Sequence, residues 1–258
     1  MAHYKGRIVE ILLESYQNAA ARLHIPREAE PRPGQYLQAH CLDDPLEVVP
    51  SSIFRAGGVS RGAGEQGSLR RKNADALENG KENPRSPQKD ISIAITGLLP
   101  AGWRPGTELH LRGPLGRGFE VPRRARRLAL VALDRNPSRL LPLVVAGLNQ
   151  GAEIALFSDG AGGNLPPTVE QQTLKELSLG VKWADYLAVD ISIEKIDELE
   201  TIFRSQNPAV LAAEILVSAP MPCGGLAKCG VCTVHTKNGP QLACEVGPVF
   251  DLRSFVFV

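Results

Sequence analysis

The chain has 258 residues and a formal net charge of +1, with 43% hydrophobic and only 5% aromatic residues. This length suits one large domain or two smaller ones, with enough apolar residues for a core. A charge near zero and few aromatic rings argue against a nucleic-acid partner or an anionic membrane surface. No run reaches the roughly 20 apolar residues of a membrane span, and "MAHYKGRIVEILLES" lacks a signal-peptide pattern. The sequence therefore predicts a soluble, cytoplasmic protein.

The first 122 residues are predicted to form a small antiparallel β-barrel. Short apolar runs between Pro and Gly turns are typical of such folds, and they occur at "GRIVEILLES", "AARLHIP", "PGQYLQAHC", "DISIAITGLL" and "GTELHLRGP". Residues 55–89 interrupt the pattern because they include almost no large apolar residue. Such a stretch cannot bury enough surface to offset its ordering entropy, so we predict a disordered insertion there.

Strands and helices alternate from residue 123 to residue 219. The runs "RLALVAL", "AEIALFSDG", "ADYLAVDIS" and "AAEILVSAP" are predicted strands. Between the first two, "PSRLLPLVVAGLNQG" has helical spacing, with Pro137 at its start and Gly151 at its end. Alternation of this kind predicts a parallel sheet covered by helices. The whole chain is thus predicted to be a two-domain α+β protein with a small C-terminal segment over 220–258.

That C-terminal segment concentrates four of the five cysteines, with the spacing Cys223-x5-Cys229-x2-Cys232-x11-Cys244. Thiolates are soft ligands that suit zinc or an iron–sulfur cluster. Structural zinc sites usually take two close ligand pairs, whereas three bunched cysteines and a distant fourth approach the plant-type [2Fe–2S] pattern with one extra residue. The intervening glycines let the backbone curl around a cluster and direct N–H groups at its sulfurs; they are Gly224, Gly225 and Gly230.

The pattern favours a [2Fe–2S] cluster, with zinc and free or disulfide-linked thiols as the alternatives. In a reducing cytosol, clustered cysteines favour a metal over disulfides. Cys41 lies in an apolar β-run and is predicted to be a buried side chain rather than a ligand. His235 is predicted to be a surface residue of a strand.

The cysteine segment resembles one protein family. "PCGGLAKCGVCTV" and "LACEVGPVFDL" are similar to the iron–sulfur end of the electron-transfer subunits of dihydroorotate dehydrogenases, in which "DGPVF" follows the fourth cysteine. "GPLGRGF", Gly113 to Phe119, resembles the Gly-Pro-Leu-Gly-x-Gly-Phe signature of that family. "PGQYL", residues 33–37, is similar to the strand before its flavin motif. Together these matches extend over nearly the whole chain.

The resemblance implies a ferredoxin-reductase-like chain. Its parts would be a flavin-binding barrel over 1–122, a nucleotide-binding α/β domain over 123–219 and a [2Fe–2S] segment over 220–258. The implied cluster ligands are Cys223, Cys229, Cys232 and Cys244. The implied FAD contacts are Pro50, Ser51, Ser52, Gly113, Pro114, Leu115 and Gly116. Electrons would pass to or from a catalytic oxidoreductase subunit in a hetero-oligomer, such as the dihydroorotate dehydrogenase of pyrimidine biosynthesis.

The chain departs from the family at both nucleotide sites. Val49 stands where the family has the arginine that pairs with the FAD phosphates. After "LALVAL", the family's glycine-rich phosphate turn is replaced by Asp134-Arg135-Asn136-Pro137, so NAD binding is not expected. "GAGGN", residues 160–164, lacks the G-x-G-x-x-G spacing and is predicted to be a flexible loop. These losses leave an alternative function, a non-redox scaffold or regulatory subunit with a structural metal site.

Overall fold

The computed structural model describes residues 2–15, 18–41, 43, 49–56, 90–97, 99–133, 136–160, 165–203 and 212–255. Several sequence predictions lie outside the described residues: most of the predicted insertion (57–89), Asp134 and Arg135, and residues 161–164 of the glycine-rich loop. Arg55, which was assigned to the insertion, is instead the last residue of a barrel strand, where it faces Ile95.

The first six strands close into an antiparallel barrel in the spatial order β1-β2-β5-β4-β3-β6. The strands are β1 (His3–Ser15), β2 (Asn18–Ile25), β3 (Tyr36–His40), β4 (Ser51–Arg55), β5 (Ile91–Gly97) and β6 (Glu108–Leu115). Buried aliphatic side chains fill the interior, among them Ile8, Leu23, Leu37, Ile53 and Ile95. Closure pairs every strand on both sides and leaves no open edge. The predicted barrel is confirmed.

One strand of the barrel is buried on both faces. Successive side chains of a strand point to opposite sides, and on β3 Leu37 and Ala39 lie in the barrel core. Tyr36, on the other face, belongs to the core of the second half of the chain. The barrel therefore meets the rest of the protein along β3.

A six-stranded sheet forms the second half, in the order β14-β11-β10-β7-β8-β9. Its strands are β7 (Arg127–Ala132), β8 (Glu153–Ser158), β9 (Val169–Gln172), β10 (Tyr186–Ser192), β11 (Ala212–Ser218) and β14 (Val249–Asp251). Neighbours from β9 through to β11 run parallel, whereas β14 is antiparallel to β11. The predicted parallel sheet is confirmed, and the C-terminal end of the chain adds an antiparallel strand to it.

Helices α1 (Leu141–Asn149), α2 (Leu177–Trp183) and α3 (Glu198–Phe203) accompany the sheet, and α1 starts later than predicted. The Pro137 carbonyl accepts hydrogen bonds from the N–H groups of Leu140 and Leu141, so Pro137 opens a turn rather than the helix. Pro142 occupies the first helical turn, where its missing N–H has no consequence. The helix ends as predicted before Gly151, which has a left-handed φ of 72°.

The remaining elements are short. Single 3-10 turns cover Arg27–Ala29, Leu174–Glu176, Ile193–Lys195 and Leu252–Ser254. A hairpin of β12 (Thr233–Thr236) and β13 (Gly239–Leu242) precedes β14. His235 is an exposed residue of β12, and Cys41 is buried beside the barrel core, both as predicted. No helix within the described residues combines the length and apolar character that crossing a membrane requires.

The strand order creates two features at the carboxyl edge of the parallel sheet. The chain runs from β7 outward to β8 and β9 and then returns to β10, so the topological switch point lies between β7 and β10. At the same edge, β11 ends at Ser218 and the chain enters the cysteine segment within a few residues. Both features face the region where sheets of this type bind their ligands.

Candidate functional site

The four C-terminal cysteines meet as two neighbouring pairs. The Cys229 thiol donates a hydrogen bond to the Cys223 sulfur, and the Cys244 thiol donates one to the Cys232 sulfur. The two pairs also lie close together. This is seen in the pKa of Cys244, which is raised by the charge of Cys223 as well as by that of Cys232. All five cysteines are among the described residues, and none forms a disulfide.

Backbone N–H groups of the loop after Cys223 point at its sulfur. The donors are Lys228, whose bond has the largest effect, and also Leu226 and Cys229. Together they lower the pKa of the Cys223 thiol to about 6, because an N–H donor stabilises the thiolate more than the thiol. The loop thus provides a preformed set of donors for a negatively charged sulfur.

The second pair lies deeper. Cys232 and Cys244 are buried, whereas Cys223 is half-buried and Cys229 is exposed. Burial, followed by the hydrogen bond and the charge of Cys232, raises the pKa of the Cys244 thiol to about 11. The N–H of Ala227 opposes this by donating to Cys244. One loop therefore directs N–H groups at sulfurs of both pairs.

A run of left-handed residues produces this loop. Gly224, Gly225 and Gly230 have φ angles of 65°, 72° and 74°, and Ala227 has a φ of 56°. Left-handed backbone turns successive N–H groups toward one concave side, which is how short loops bind anions. Glycine adopts this conformation without a steric penalty, whereas an alanine pays one.

The arrangement does not resemble a mononuclear metal site. Among the described residues, no three or more His, Cys, Asp or Glu side chains surround one point as ligands of a single ion would. The four sulfurs are instead grouped two by two. A [2Fe–2S] cluster has two irons that share four cysteine ligands, two on each iron. A tetrahedral zinc ion instead requires four ligands around one centre.

Tyr36 connects the barrel to the cysteine site. Its hydroxyl donates to the backbone carbonyl of Cys244 at 3.3 Å, and its side chain is fully buried. Burial, followed by the charge of Cys244, raises the pKa of this hydroxyl well above its usual range. The hydroxyl therefore stays protonated and continues to donate.

The outer face of the barrel beside Tyr36 carries one predicted flavin contact of β4, Ser52. Ser52 lies in register with Gln38 of β3, and the Gln38 amide donates to the Ser52 hydroxyl at 2.7 Å. The Gln38 Oε1 atom is buried and has no hydrogen-bond partner among the described residues. Arg112 of β6 also lies in register with Gln38. The face therefore offers a hydroxyl, an unsatisfied acceptor and a cation side by side.

The predicted contacts at the start of β4 adjoin the cysteine loop. Ser51 begins β4 and Pro50 precedes it. A Cβ on Gly224 would lie 3.0 Å from the Pro50 ring and 3.6 Å from the Arg112 guanidinium. Arg55, the last residue of β4, pairs with Glu30 at 2.7 Å.

The "GPLG" motif, Gly113 to Gly116, lies at the end of β6 and has a packing role. A Cβ on Gly113 would come within 2.8 Å of Leu37, and one on Gly116 within 2.5 Å of Pro248. Pro114 and Leu115 end the strand between these two close contacts. Gly113 therefore permits close packing between β6 and β3 within the barrel, and Gly116 permits the barrel and the C-terminal segment to approach closely.

The next residues fasten the barrel to the sheet. The Arg117 N–H donates to Gly247 O at 2.6 Å, and its guanidinium donates to the buried Glu214 carboxylate at 2.8 Å. Glu214 also accepts from the Glu120 N–H and the Tyr186 hydroxyl, each at 2.7 Å. Three donors compensate this buried charge. Arg117 thereby contacts the C-terminal segment through its backbone N–H and the sheet through its side chain.

The switch-point crevice is filled by an ion pair. Arg139, from the turn after β7, donates from Nε to Asp190 Oδ2 of β10 at 2.9 Å, and the Asp190 side chain is 1% exposed. The guanidinium carbon lies 5.7 Å from the centre of the Phe54 ring, which belongs to β4 of the barrel. The Leu133 N–H donates to Asp190 O and ties the two strands together. Arg139 therefore bridges both halves of the protein at this point.

Sequence reasoning found the cysteines but missed the residues that surround them. Tyr36 lay inside the quoted "PGQYL" run, yet no local pattern distinguishes a tyrosine that reaches residue 244 from one in a barrel core. The ion pair of Arg139 and Asp190 joins residues 51 positions apart. A lone arginine after a predicted strand and an aspartate inside an apolar run were the available signals.

Solved structures share this architecture. The chain superposes on an NADH-dependent reduced ferredoxin-NADP oxidoreductase linked to flavin-based electron bifurcation, with a TM-score of 0.64 and 14% identity, over 96% of this chain and 88% of that one. The ferredoxin reductase of carbazole 1,9a-dioxygenase gives 0.54 and 13%, over 81% and 66%. A cytochrome P450 reductase from Amycolatopsis gives 0.52 and 11%, over 83% and 69%. No protein-family model and no curated protein sequence matches the chain. The similarities establish a ferredoxin-reductase fold, an antiparallel barrel followed by a parallel-sheet domain.

Proposed function

We propose that the chain is an electron-transfer subunit that carries a [2Fe–2S] cluster and FAD and exchanges electrons with a catalytic oxidoreductase subunit. The cluster ligands are Cys223, Cys229, Cys232 and Cys244. The observation that carries the proposal is the meeting of these sulfurs in two hydrogen-bonded pairs, at a loop whose N–H groups already point at Cys223 and Cys244. Donors of this kind stabilise thiolate ligands and set the reduction potential of a cluster.

The outer barrel face supports FAD. The orphaned Gln38 Oε1 beside the Ser52 hydroxyl is a buried acceptor that a polar ligand would satisfy. Arg112 supplies positive charge on this face, which compensates for the absence of an arginine at Val49. Two structures with this fold are described as a flavin-based electron-bifurcation enzyme and a reductase with an FAD-free form. The proposed FAD contacts are Pro50, Ser51, Ser52, Gly113, Pro114, Leu115 and Gly116.

Proximity of the two proposed sites supports transfer between them. Gly224, next to the first cysteine, packs against Pro50, and the Tyr36 side chain reaches from the barrel to Cys244. When bound, a flavin accepts two electrons as a hydride and a [2Fe–2S] cluster carries one electron at a time. The residues of the chain hold the two sites side by side and exclude water from the deeper cysteine pair.

Apolar exposure in the cysteine segment supports a protein partner. Leu226, Val231 and Val246 are half-exposed, and each lies within three residues of a cysteine of the site. Exposed apolar residues grouped on a surface mark interaction sites more often than those scattered singly. With Cys229 the most exposed ligand, this is the side from which a partner approaches the cluster most closely. We assign the partner to the dihydroorotate dehydrogenase catalytic subunits, on the resemblance of the cysteine segment.

The filled crevice supports electron entry from another subunit rather than from NADH. Dinucleotides bind at the switch point between strands like β7 and β10, and here Arg139, Asp190 and Phe54 occupy it. We expect NADH to leave the absorbance of the purified chain unchanged. Rapid bleaching of a bound flavin by NADH would contradict this part of the proposal.

Anaerobic purification tests the cofactors. We expect two irons and two sulfides per chain, a reduced-state EPR signal of a [2Fe–2S] centre and a flavin absorbance band that dithionite bleaches. Zinc without iron would refute the cluster and favour the scaffold function. Iron without flavin would refute only the FAD site.

A reconstitution tests the partner. The chain is mixed with a dihydroorotate dehydrogenase catalytic subunit from the same genome, and dihydroorotate is added. Reduction of the cluster only in the mixture is the expected result. An unreduced cluster, with a catalytic subunit that is active with another acceptor, would show that the partner belongs to a different class.

A further inference from the structure

Tyr36 occupies a position that neither the barrel nor the cysteine loop explains alone. The other face of its strand fills the barrel, whereas the Tyr36 ring lies in the core shared with the sheet, tilted against Phe54 at 5.9 Å between ring centres. Its hydroxyl reaches a residue 208 positions along the chain. A phenylalanine would fill the same space, so the hydroxyl is what requires an explanation.

The surroundings of that hydroxyl are closely fitted. A Cβ on Gly225 would lie 2.6 Å from the Tyr36 oxygen, and a Cβ on Gly116 would lie 3.0 Å from the ring. Both glycines have positive φ angles, 72° and 73°. Glycine in the loop after Cys223 and in the "GPLG" segment therefore leaves room for the tyrosine, because a side chain at either position would crowd it.

Cys244 is the ligand that most needs such a contact. The other three cysteines belong to one short loop, whereas Cys244 follows the hairpin of β12 and β13. Local backbone hydrogen bonds hold the residues on either side of it, from the Ala243 N–H to the Cys232 carbonyl at 3.0 Å and from the Glu245 N–H to the Leu242 carbonyl at 3.0 Å. The Tyr36 hydroxyl adds a long-range bond, from the barrel, to the carbonyl of Cys244 itself.

We propose that Tyr36 is a positioning residue of the cysteine site, which fixes Cys244 through its hydroxyl and raises the reduction potential of the group bound there. The inference rests on the proposed function for its redox part. An O–H donor beside the site stabilises the additional negative charge of the reduced state, as hydrogen bonds around clusters do. The same bond holds the Cys244 backbone in place whether or not a metal is bound.

The test compares Tyr36→Phe with Tyr186→Phe. Tyr186 is a matched control, because it is fully buried and its hydroxyl also makes a buried hydrogen bond, to Glu214 at 2.7 Å, which involves no residue of the cysteine site. The readout is the midpoint potential from a redox titration followed by EPR. We expect a more negative potential in Tyr36→Phe with the iron content retained. Tyr186→Phe is expected to lower the urea midpoint of unfolding and leave the potential unchanged.

A second readout needs no cluster. The full-length chain is stripped of metal, reduced and treated with iodoacetamide, and the alkylation of each cysteine is followed by peptide mass spectrometry. We expect Cys244 to react several-fold faster in Tyr36→Phe than in the wild type or in Tyr186→Phe, with the exposed Cys229 as the internal reference.

The two readouts separate the two proposals. If the wild type binds no cluster but Tyr36→Phe exposes Cys244, the proposed function fails and the positioning role of Tyr36 stands. Equal alkylation rates in all three proteins would overturn the positioning role. Equal shifts of the potential in Tyr36→Phe and Tyr186→Phe would overturn the redox part, because the effect would then reflect general loosening.

Discussion

The cysteine loop and the switch-point crevice lie at the same edge of one sheet, but their polar groups are arranged in opposite ways. In the loop, N–H groups converge on sulfurs and one cysteine, Cys229, faces solvent. In the crevice, the charges of Arg139 and Asp190 neutralise each other beneath an aromatic ring of the barrel. The polar groups of the loop are oriented to hold a ligand, whereas the charged groups of the crevice pair with each other.

The contrast shows how a reductase fold divides its binding regions. A site keeps its capacity to bind a ligand when its hydrogen-bond donors have no stronger partner inside the protein. It loses that capacity when an internal ion pair occupies the position of the ligand. Removing either residue of a buried pair would leave an uncompensated charge. Breaking the ion pair that closes the crevice therefore costs much free energy, whereas the loop depends on its backbone conformation to direct its N–H groups.

The largest effect is expected from Cys229→Ser, which removes a ligand from the loop. We expect iron content to fall to near zero, while the far-UV circular dichroism stays unchanged because Cys229 is exposed. Cys41→Ala is the control, since Cys41 lies at the barrel core and should leave iron at the wild-type level. Retention of a full complement of iron in Cys229→Ser would remove this cysteine from the site.

Gly225→Ala tests whether backbone shape defines the loop. The new methyl group would lie 2.6 Å from the Tyr36 oxygen at a φ of 72°, so we expect iron content to fall by more than half. Gly151→Ala shares the φ of 72° but meets no described atom within 4 Å. It should keep its iron and lower the free energy of unfolding by about 1 kcal/mol, the cost of a left-handed alanine. Equal iron loss in both variants would contradict the close fit to Tyr36.

Asp190→Asn tests the crevice. We expect the free energy of unfolding in urea to fall by about 3 kcal/mol, because Arg139 loses the partner of a buried pair. The double variant Arg139→Met with Asp190→Leu should recover most of this loss, since apolar side chains of similar volume avoid the desolvation penalty. A single variant as stable as the wild type would show that the pair does not close the crevice.

The smallest effect is expected at the opposite edge of the same two strands. Arg127 and Asp185 form an exposed pair at 2.8 Å, and the bond from Arg127, followed by that from the Arg126 N–H, lowers the pKa of Asp185. The pair thus stabilises the fold above the unfolded pKa of about 4 and loses this contribution as pH falls through the lowered value. Asp185→Asn should flatten the stability–pH curve below about pH 4, and 1 M salt should hide the difference at neutral pH. An effect as large as that of Asp190→Asn would erase the contrast between exposed and buried pairs.

Predictions from local pattern were reliable where one short stretch carries the whole signal. Alternating apolar runs and their turns predicted the barrel strands, apart from β4 at the margin of the low-complexity stretch, whose five residues gave too short a pattern. The start of α1 was predicted too early, because Pro137 also begins turns. The cysteine spacing predicted that the four thiols belong together, since three of them lie in one loop that must curl back on itself.

Long-range contacts decided the rest. The two-by-two pairing of the cysteines, the bond from Tyr36 to Cys244 and the ion pair of Arg139 with Asp190 all depend on how strands distant in sequence come together. Periodicity and spacing report which residues are buried and which could be ligands, because these properties follow from local backbone geometry. Which buried groups face each other follows from the packing of barrel against sheet, and only the tertiary structure determines it.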